Sequence, residues 1–562
     1  MDDSATVPAA AAARLPVSRY YCEFSMDYDY IIVGAGSAGS VLADRLTESG
    51  RHRVLVLEAG GSDRRFWVQV PLGYGRIFHD PSLNWMYRAE PDPGLAGNAD
   101  YWPRGKLLGG SSSINAMVFI RGNPQDYDDW AAAGNPGWGW NDVLPVFRGI
   151  EDNAGGASDH RGVGGKLHVS DAGDAAHPLA RLFLKAAREA GLPILADLNG
   201  PSQEGAGLYQ ATIRSGRRLS ASRAFLRPAM RRRNLTVETG AMALRLSFEG
   251  RRATGVVYRQ NGRELTACAR REVIVAAGAV NSPQLLQLSG IGASGLLRTQ
   301  GLAVLLENPN VGAHLQDHVG INHTYRSRVS TLNGALRPWW GKLSAGAQYL
   351  AFGRGPLSLS LNQCGGFFRT APELPRPNMQ LYLQAISTLT AAKGSRPLLN
   401  PDPFEAFSLG LSSCRPTSRG SIAIRSHDPL DAPKIIANAY ATEHDRMEML
   451  AAVKFLRKLA AMPSLAAVIA EELRPGSGCQ SDDDLLADIA ARSGTVYHPV
   501  GTCRMGPDAA TAVVDPRLRV HGIDGLRVID ASIMPNIVSG NTNAAAIMIG
   551  AKGAEMVLED DR

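Results

Sequence analysis

The stretch YDYIIVGAGSAGSVLADRL, residues 28–46, leaves a chain few ways to fold. Tyr28 to Val33 reads as a buried β-strand, a glycine turn follows, and the apolar positions beyond it repeat at helical spacing. The turn is G-x-G-x-x-G, formed by Gly34, Gly36 and Gly39. The first glycine permits the tight turn, the second lets backbone approach a pyrophosphate, and the third lets helix pack on strand. An anion would sit at the helix N-terminus, where unpaired amides and the helix dipole favour negative charge. A second strand, HRVLVLEAG, then ends at Glu58, where a carboxylate can accept a ribose hydroxyl and repels a 2′-phosphate. The pattern predicts a dinucleotide-binding α/β unit that disfavours NADP and leaves NAD and FAD both open.

That unit is a small part of 562 residues, so two or more lobes are expected. Sixty glycines and 33 prolines favour many turns over a helical bundle. The 59 basic residues exceed the 53 acidic ones too slightly to demand an anionic partner. The run Arg231-Arg232-Arg233 has no interleaved aromatics, so no nucleic-acid partner is expected. Six cysteines without a C-x-x-C pair read as reduced thiols of a cytoplasmic protein. Residues 1–26 lack the basic-then-apolar order of a secretory signal and read as a flexible extension. No window of 18 uninterrupted apolar residues offers a membrane span.

Three further stretches carry chemistry. GKLLGGSSSINAMVFIRGNPQDYD, residues 105–128, places glycines and serines where amides and hydroxyls can wrap a phosphate or a ring. GAVNSPQLLQLSGIG, residues 278–292, follows the apolar strand EVIVAAG, with Ser282-Pro283 read as opening a helix. LRVIDASIMPNIVSGNTNAAAIMIGAKGAEMVL gives a strand ending at Asp530, a loop and a helix of small residues. In YHPVGTCRMG, His498 and Cys503 lie five positions apart. A metal pair lacks further ligands at a recognised spacing, and no metal site is expected. Cys503 shows no activating surroundings and reads as a small buried residue. Pro499 holds His498 extended, on a loop.

With these motifs in this order, the chain resembles the glucose–methanol–choline (GMC) flavoprotein oxidoreductases from Met26 onward. It is most similar to the choline-dehydrogenase-like and medium-chain alcohol dehydrogenase branch, through WPRGKLLGGSSSINAMVFIRG and YHPVGTCRMG. The resemblance implies an α/β fold in which a Rossmann-like FAD-binding lobe (27–155, 228–315 and 495–560) interleaves with a substrate lobe (156–227 and 316–494) built on an antiparallel sheet with helices. It implies FAD contacts from Gly34, Gly36, Gly39, Glu58, Gly109, Gly110, Ser112, Asn115, Ala116, Val237, Ala277, Asp530, Ala531 and Asn543. Some members tether FAD through a histidine at the position of Ile114, so the flavin here is expected to be noncovalent. His498 becomes the general base, a neutral imidazole working near pH 7, and Asn541 of SGNTNA its partner on the substrate oxygen.

The resemblance implies oxidation of an alcohol to the aldehyde, with hydride passing to the flavin and its electrons then to a quinone, a dye or oxygen. LRPWWGKLSAGAQYLAFGRGPLS, residues 336–358, reads better as a core-packing helix of the substrate lobe than as a lipid-facing one. No pattern pairs an aromatic cage with a carboxylate, so an apolar primary alcohol is preferred over choline. Non-redox or photochemical relatives of this fold (lyase or fatty-acid photodecarboxylase type, the latter through Cys364) and a choline dehydrogenase remain alternatives. Peripheral contact with the inner membrane, through a quinone acceptor, is a further expectation.

Overall fold

The computed structural model describes residues 28–390 and 398–561. The extension read at 1–26 lies outside them. Two seven-stranded sheets organise the rest. In the first, β1 (Tyr28–Val33) lies between β2 (Val54–Glu58) and the strand Arg263–Val275, parallel to both. Leu235–Thr239 extends the parallel set beyond β2, and Leu526–Val528 pairs with the end of Arg263–Val275. The two central strands carry continuous apolar runs, Ile31–Val33 and Val54–Leu57, because helices cover both faces of a parallel sheet; β2 is buried at all five positions. The long strand serves two roles. Its exposed first half pairs antiparallel with Arg252–Gln260, and its buried last residues, Val273–Val275, join the parallel core.

The second sheet runs in the order Ile469–Arg474, Val319–Ser327, Ala406–Ser413, Met379–Gln384, Asn362–Phe368 and Gly205–Leu208, with Gly494–Thr495 also on Val319–Ser327. Every pairing in it is antiparallel. Each sheet has its own apolar core. The fold is α/β with a Rossmann-like unit interleaved with an antiparallel-sheet unit.

Small residues let helices approach closely around β1. The helix α1 (Ser37–Thr47) packs against Asn543–Asp560, where a Cβ on Gly550 would come within 2.7 Å of the Ala38 carbonyl oxygen. This is the use of the small-residue run read from the sequence.

Three expectations need correction. Pro283 does not open its helix, which runs from Gly278 to Leu288 and contains it. The carbonyl that Pro283 cannot pair is that of Ala279, and Thr502 Oγ1 donates to it at 2.6 Å. The helix is thereby fastened to the HPVGTC loop. Second, Cys268 is disulfide-bonded, whereas Cys364, Cys414, Cys479 and Cys503 are free, so the reading of six reduced thiols does not hold. Third, the helix Trp339–Phe352 buries only Gly341, Ala345 and Tyr349. Its large apolar residues face outward, so it is not the core-packing helix expected. Among the described residues, no helix is long and apolar enough to cross a membrane.

Candidate active site

A cavity of about 510 Å³ lies between the two sheets. Three helix N-termini reach its wall: Gly36-Ser37, Ala277-Gly278 and Thr542-Asn543. Ser37 Oγ donates to Asn543 Oδ1 at 2.7 Å and ties two of them together. Converging amides and helix dipoles favour an anion there. The glycine turn is shaped for the same purpose. Gly34 has φ of +101°, and a Cβ on Gly39 would sit 1.9 Å from the Gly34 carbonyl oxygen, so both glycines are required by the protein itself. A Cβ on Gly36 would meet only the Ala276 carbonyl oxygen, at 4.0 Å. Space is left over Gly36 for something that is not protein, as a pyrophosphate requires.

Glu58 lines the cavity from the end of β2. Its carboxylate accepts the Ala35 amide at 3.0 Å and the Gly60 amide at 2.8 Å, so it braces the turn as well as facing a ligand. Burial raises its carboxyl to about 7, against the pull of those two amides. Asp530 accepts Gly278 N at 2.8 Å and Ser282 Oγ at 2.5 Å, which holds the second helix N-terminus in place. Gly110, Asn115, Ala116, Ala277, Ala531 and Asn543 also line the cavity, as does Ile114.

Four predicted contacts stand behind that wall. Gly39 packs helix on strand. Gly109 turns the loop with φ of +86°. Ser112 Oγ donates to the Gly109 carbonyl at 2.5 Å and accepts Ala221 N at 3.0 Å, so it is a brace. Val237 pairs with Val56 inside the sheet, and the wall is formed instead by Ala241, Met242 and Ala243. Adjacent residues of a strand face opposite ways, and the sequence does not say where that strand ends.

The segments Val496–Val500 and Gln316–His318 run side by side, with Val496 N donating to the His318 carbonyl and Val500 N to that of Gln316. This pairing sets His318 against His498, Nδ1 to Nδ1 at 3.0 Å, with the rings nearly perpendicular. His498 N donates to Asp317 Oδ1 at 2.7 Å, and Arg104 Nη2 to the Tyr497 carbonyl at 2.7 Å. Burial pushes the Asp317 carboxyl up to about 7 and the Arg104 guanidinium down to about 10. Tyr497, at φ of +71°, takes the backbone strain that presents His498 to the cavity.

Two hydrogen-bond chains favour one arrangement of protons in this cluster. His318 Nε2 lies 3.0 Å from the Cys414 carbonyl oxygen, which can only accept. A neutral His318 therefore has a bare Nδ1, and His498 Nδ1–H donates to it. From the other side, Tyr382 Oη donates to Gln380 Oε1 at 2.5 Å, and Gln380 Nε2 donates to Asn541 Oδ1 at 3.2 Å. The Asn541 amide is thus oriented with Nδ2 toward His498 Nε2, 3.2 Å away. Both chains leave His498 Nε2 with a lone pair. Burial holds both rings neutral: it lowers His318 to about 4, and lowers His498 well below its ordinary value, with His318 and Arg104 adding to the effect. The His498 imidazole is therefore neutral below pH 6.5, which moves its titration down from the neutral range expected from sequence.

Cys503 is buried and absent from the cavity lining, as is Cys364, which sits inside the antiparallel sheet opposite Leu208 and Leu383. Burial raises both thiols. Among the described residues no cluster of three His, Cys, Asp or Glu could hold a metal. His318, Gln380 and Arg104 contact His498, Asn541 and the Tyr497 carbonyl, and the sequence did not single them out. LQDHVG, residues 315–320, carries no local pattern that separates His318 from an ordinary strand histidine.

Comparison with known proteins settles the lineage. Residues 28–320 match the N-terminal GMC oxidoreductase family model and residues 416–550 the C-terminal one. The chain belongs to the GMC oxidoreductases. It is 42% identical over 540 residues to the mitochondrial choline dehydrogenase of Homo sapiens, covering 94% of this chain and 90% of that protein. It is 41% identical over 535 residues to an alcohol dehydrogenase [acceptor] of Pseudomonas putida, covering 94% and 96%. Among solved structures, pyridoxine 4-oxidase from Mesorbium loti superposes with a TM-score of 0.86 at 33% identity, covering 95% of this chain and 99% of that one. The space over Gly36, the three helix N-termini and the Glu58 carboxylate fit the FAD of a GMC flavoenzyme.

Proposed function

We propose that this GMC oxidoreductase oxidises a neutral, apolar primary alcohol to its aldehyde with noncovalently held FAD. The observation that carries this reading is the pairing of His498 Nε2 with Asn541 Nδ2 at the cavity wall, with the imidazole lone pair fixed from both sides. FAD, when bound, supplies the acceptor for the hydride. The protein's own residues do the rest. His498 Nε2 takes the hydroxyl proton while His318 Nδ1 accepts from the Nδ1–H of the imidazolium that forms. Asn541 Nδ2 donates to the substrate oxygen as it gains negative charge. Gln380 and Tyr382 hold the amide in that orientation. Ile114, buried where tethered members carry histidine, has no atom for a covalent bond to the flavin.

The cavity supports an apolar substrate. Phe78, Met117, Val118, Ile321 and Leu411 line it, and its three acids are already engaged. Glu58 and Asp530 accept backbone amides as described, and Asp100 accepts Thr495 N at 2.7 Å. A quaternary ammonium would find no spare carboxylate. Tyr74, Trp85 and Tyr497 on the same wall favour choline as the second reading, since aromatic faces attract such cations.

The division into a flavin lobe (27–155, 228–315, 495–560) and a substrate lobe is part of this proposal, supported by the segments that supply each sheet. So are a quinone, dye or oxygen as acceptor, a cytoplasmic location and peripheral contact with a membrane. The test is anaerobic mixing of the yellow protein with a panel of alcohols in the dark. Bleaching by apolar alcohols ahead of choline is expected. No bleaching by any alcohol would overturn the proposal, and faster bleaching by choline would transfer it to the second reading.

A further inference from the structure

The helix Trp339–Phe352 presents Trp339, Trp340, Leu343, Leu350 and Phe352 to solvent, each 60% to 76% exposed. Single exposed apolar residues are ordinary, but five on one 14-residue helix are not. The patch continues onto Phe66, half exposed, whose ring meets the edge of Tyr349 at 6.3 Å. The exposed charges on the helix and beside it are cationic, while the nearby acids Asp63 and Glu405 are engaged by Arg227 and by Thr331 N. Between Asp317 and Glu373 the chain has no Asp or Glu. Lys342 and Arg354 are exposed on and just beyond the helix, Arg65 precedes Phe66, and Arg217 sits on the hairpin whose Gly216 abuts Gly353.

We propose that this face docks the enzyme on an anionic lipid bilayer, with the helix lying in the interface plane. Tryptophan prefers the headgroup level, leucine and phenylalanine the acyl boundary, and lysine and arginine the anionic headgroups. A second copy of the chain fits worse, because a symmetric contact would bring two cationic rims together. From the helix the chain runs to Asn362 on the cavity wall, so docking sets the surface that meets lipid within one short segment of the cavity. The proposal deepens the membrane contact included in the reading above and rests on it only for biological purpose; its test is separate from the alcohol chemistry.

Flavin-loaded full-length protein is floated with vesicles of phosphatidylcholine alone or with phosphatidylglycerol, with tryptophan emission recorded. Wild type should float with the anionic vesicles, lose binding as salt rises, and shift its emission to the blue. W339S/W340S should bind at least tenfold more weakly, and K342E/R354E should lose the preference for phosphatidylglycerol. Both should keep wild-type flavin reduction by alcohol, which reads out folding and the active site independently. A wild type that stays behind, or a W339S/W340S variant that floats equally well, overturns the proposal. So does a wild-type dimer in lipid-free buffer that the same substitution converts to monomer, since a second copy then covers the face.

Discussion

Replacing His318 by phenylalanine tests the proton arrangement without touching the cavity wall, which His318 does not line. The substitution removes the acceptor 3.0 Å from His498 Nδ1 and leaves a buried donor unpaired. That donor becomes charge-assisted when His498 holds the substrate proton, and such a hydrogen bond contributes about 1.5–3 kcal/mol. At about 1.36 kcal/mol per tenfold in rate, flavin reduction by alcohol should slow roughly 10- to 150-fold. KM for the alcohol should hold, because no substrate contact is lost. His318→Asn puts an amide oxygen near the position of Nδ1 and should recover most of the rate, a rescue that a merely space-filling role would not show. The assay is anaerobic stopped-flow reduction at saturating alcohol across pH. If His318→Phe reduces its flavin within about twofold of wild type, or if the asparagine variant is as slow as the phenylalanine one, the chain of inference fails.

Further expectations follow from the same geometry. His498→Ala should keep its yellow cofactor yet reduce it about 10² to 10⁴ more slowly; the wild-type rate should rise with pH through an ionisation below 6.5 that the variant lacks, while Asn541→Ala slows but keeps that limb. Glu58→Ala removes both a ribose acceptor and the brace on Ala35 and Gly60, and should weaken FAD retention about 10- to 150-fold in apoprotein titration; unchanged affinity would show that the carboxylate is only a brace. Acid precipitation of wild type should release all the flavin to the supernatant, and yellow pellets would refute noncovalent binding. His323 is fully buried, neither ring nitrogen has a hydrogen-bond partner among the described residues, and burial lowers it to about 4. The unfolded imidazole protonates first as pH falls below 6.5, so His323 favours unfolding from there down to about 4, by up to about 3 kcal/mol. His323→Leu should flatten that part of the stability–pH curve in denaturant titrations, and a parallel curve would exclude the effect.

Local patterns carried much of this molecule. β1, the glycine turn, α1 and β2 could be read directly, because backbone sterics and strand or helix periodicity act over a few residues. Gly39 is required by the Gly34 carbonyl in its own turn and Gly34 by its own positive φ, and Ile114 bears on flavin attachment through one side chain. Where the sequence reading went wrong, the deciding partner lay far along the chain. Pro283 reads as a helix start, but the helix runs through it, and Thr502 pairs the carbonyl that the proline leaves free, that of Ala279, 223 residues away from Thr502. Val237 pairs with Val56 inside the sheet, and Ala241, Met242 and Ala243 line the cavity, because the strand's end is set by its sheet neighbours. The apolar residues of Trp339–Phe352 have helical spacing in either environment; only packing shows that nothing else in the described chain covers them.

The histidine pair marks the division most clearly. The sequence determined that an extended loop would present His498, and its family resemblance named Asn541 as the partner. It held nothing about which imidazole nitrogen bears the proton, or at what pH. Those depend on His318 and Cys414, which flank the ends of Val319–Ser327 and Ala406–Ser413 in the antiparallel sheet, 180 and 84 residues from His498, and on burial removing water from both rings. Proton placement is a property of donors and acceptors within about 3 Å. Such neighbours are assembled by tertiary folding, which sequence spacing does not encode.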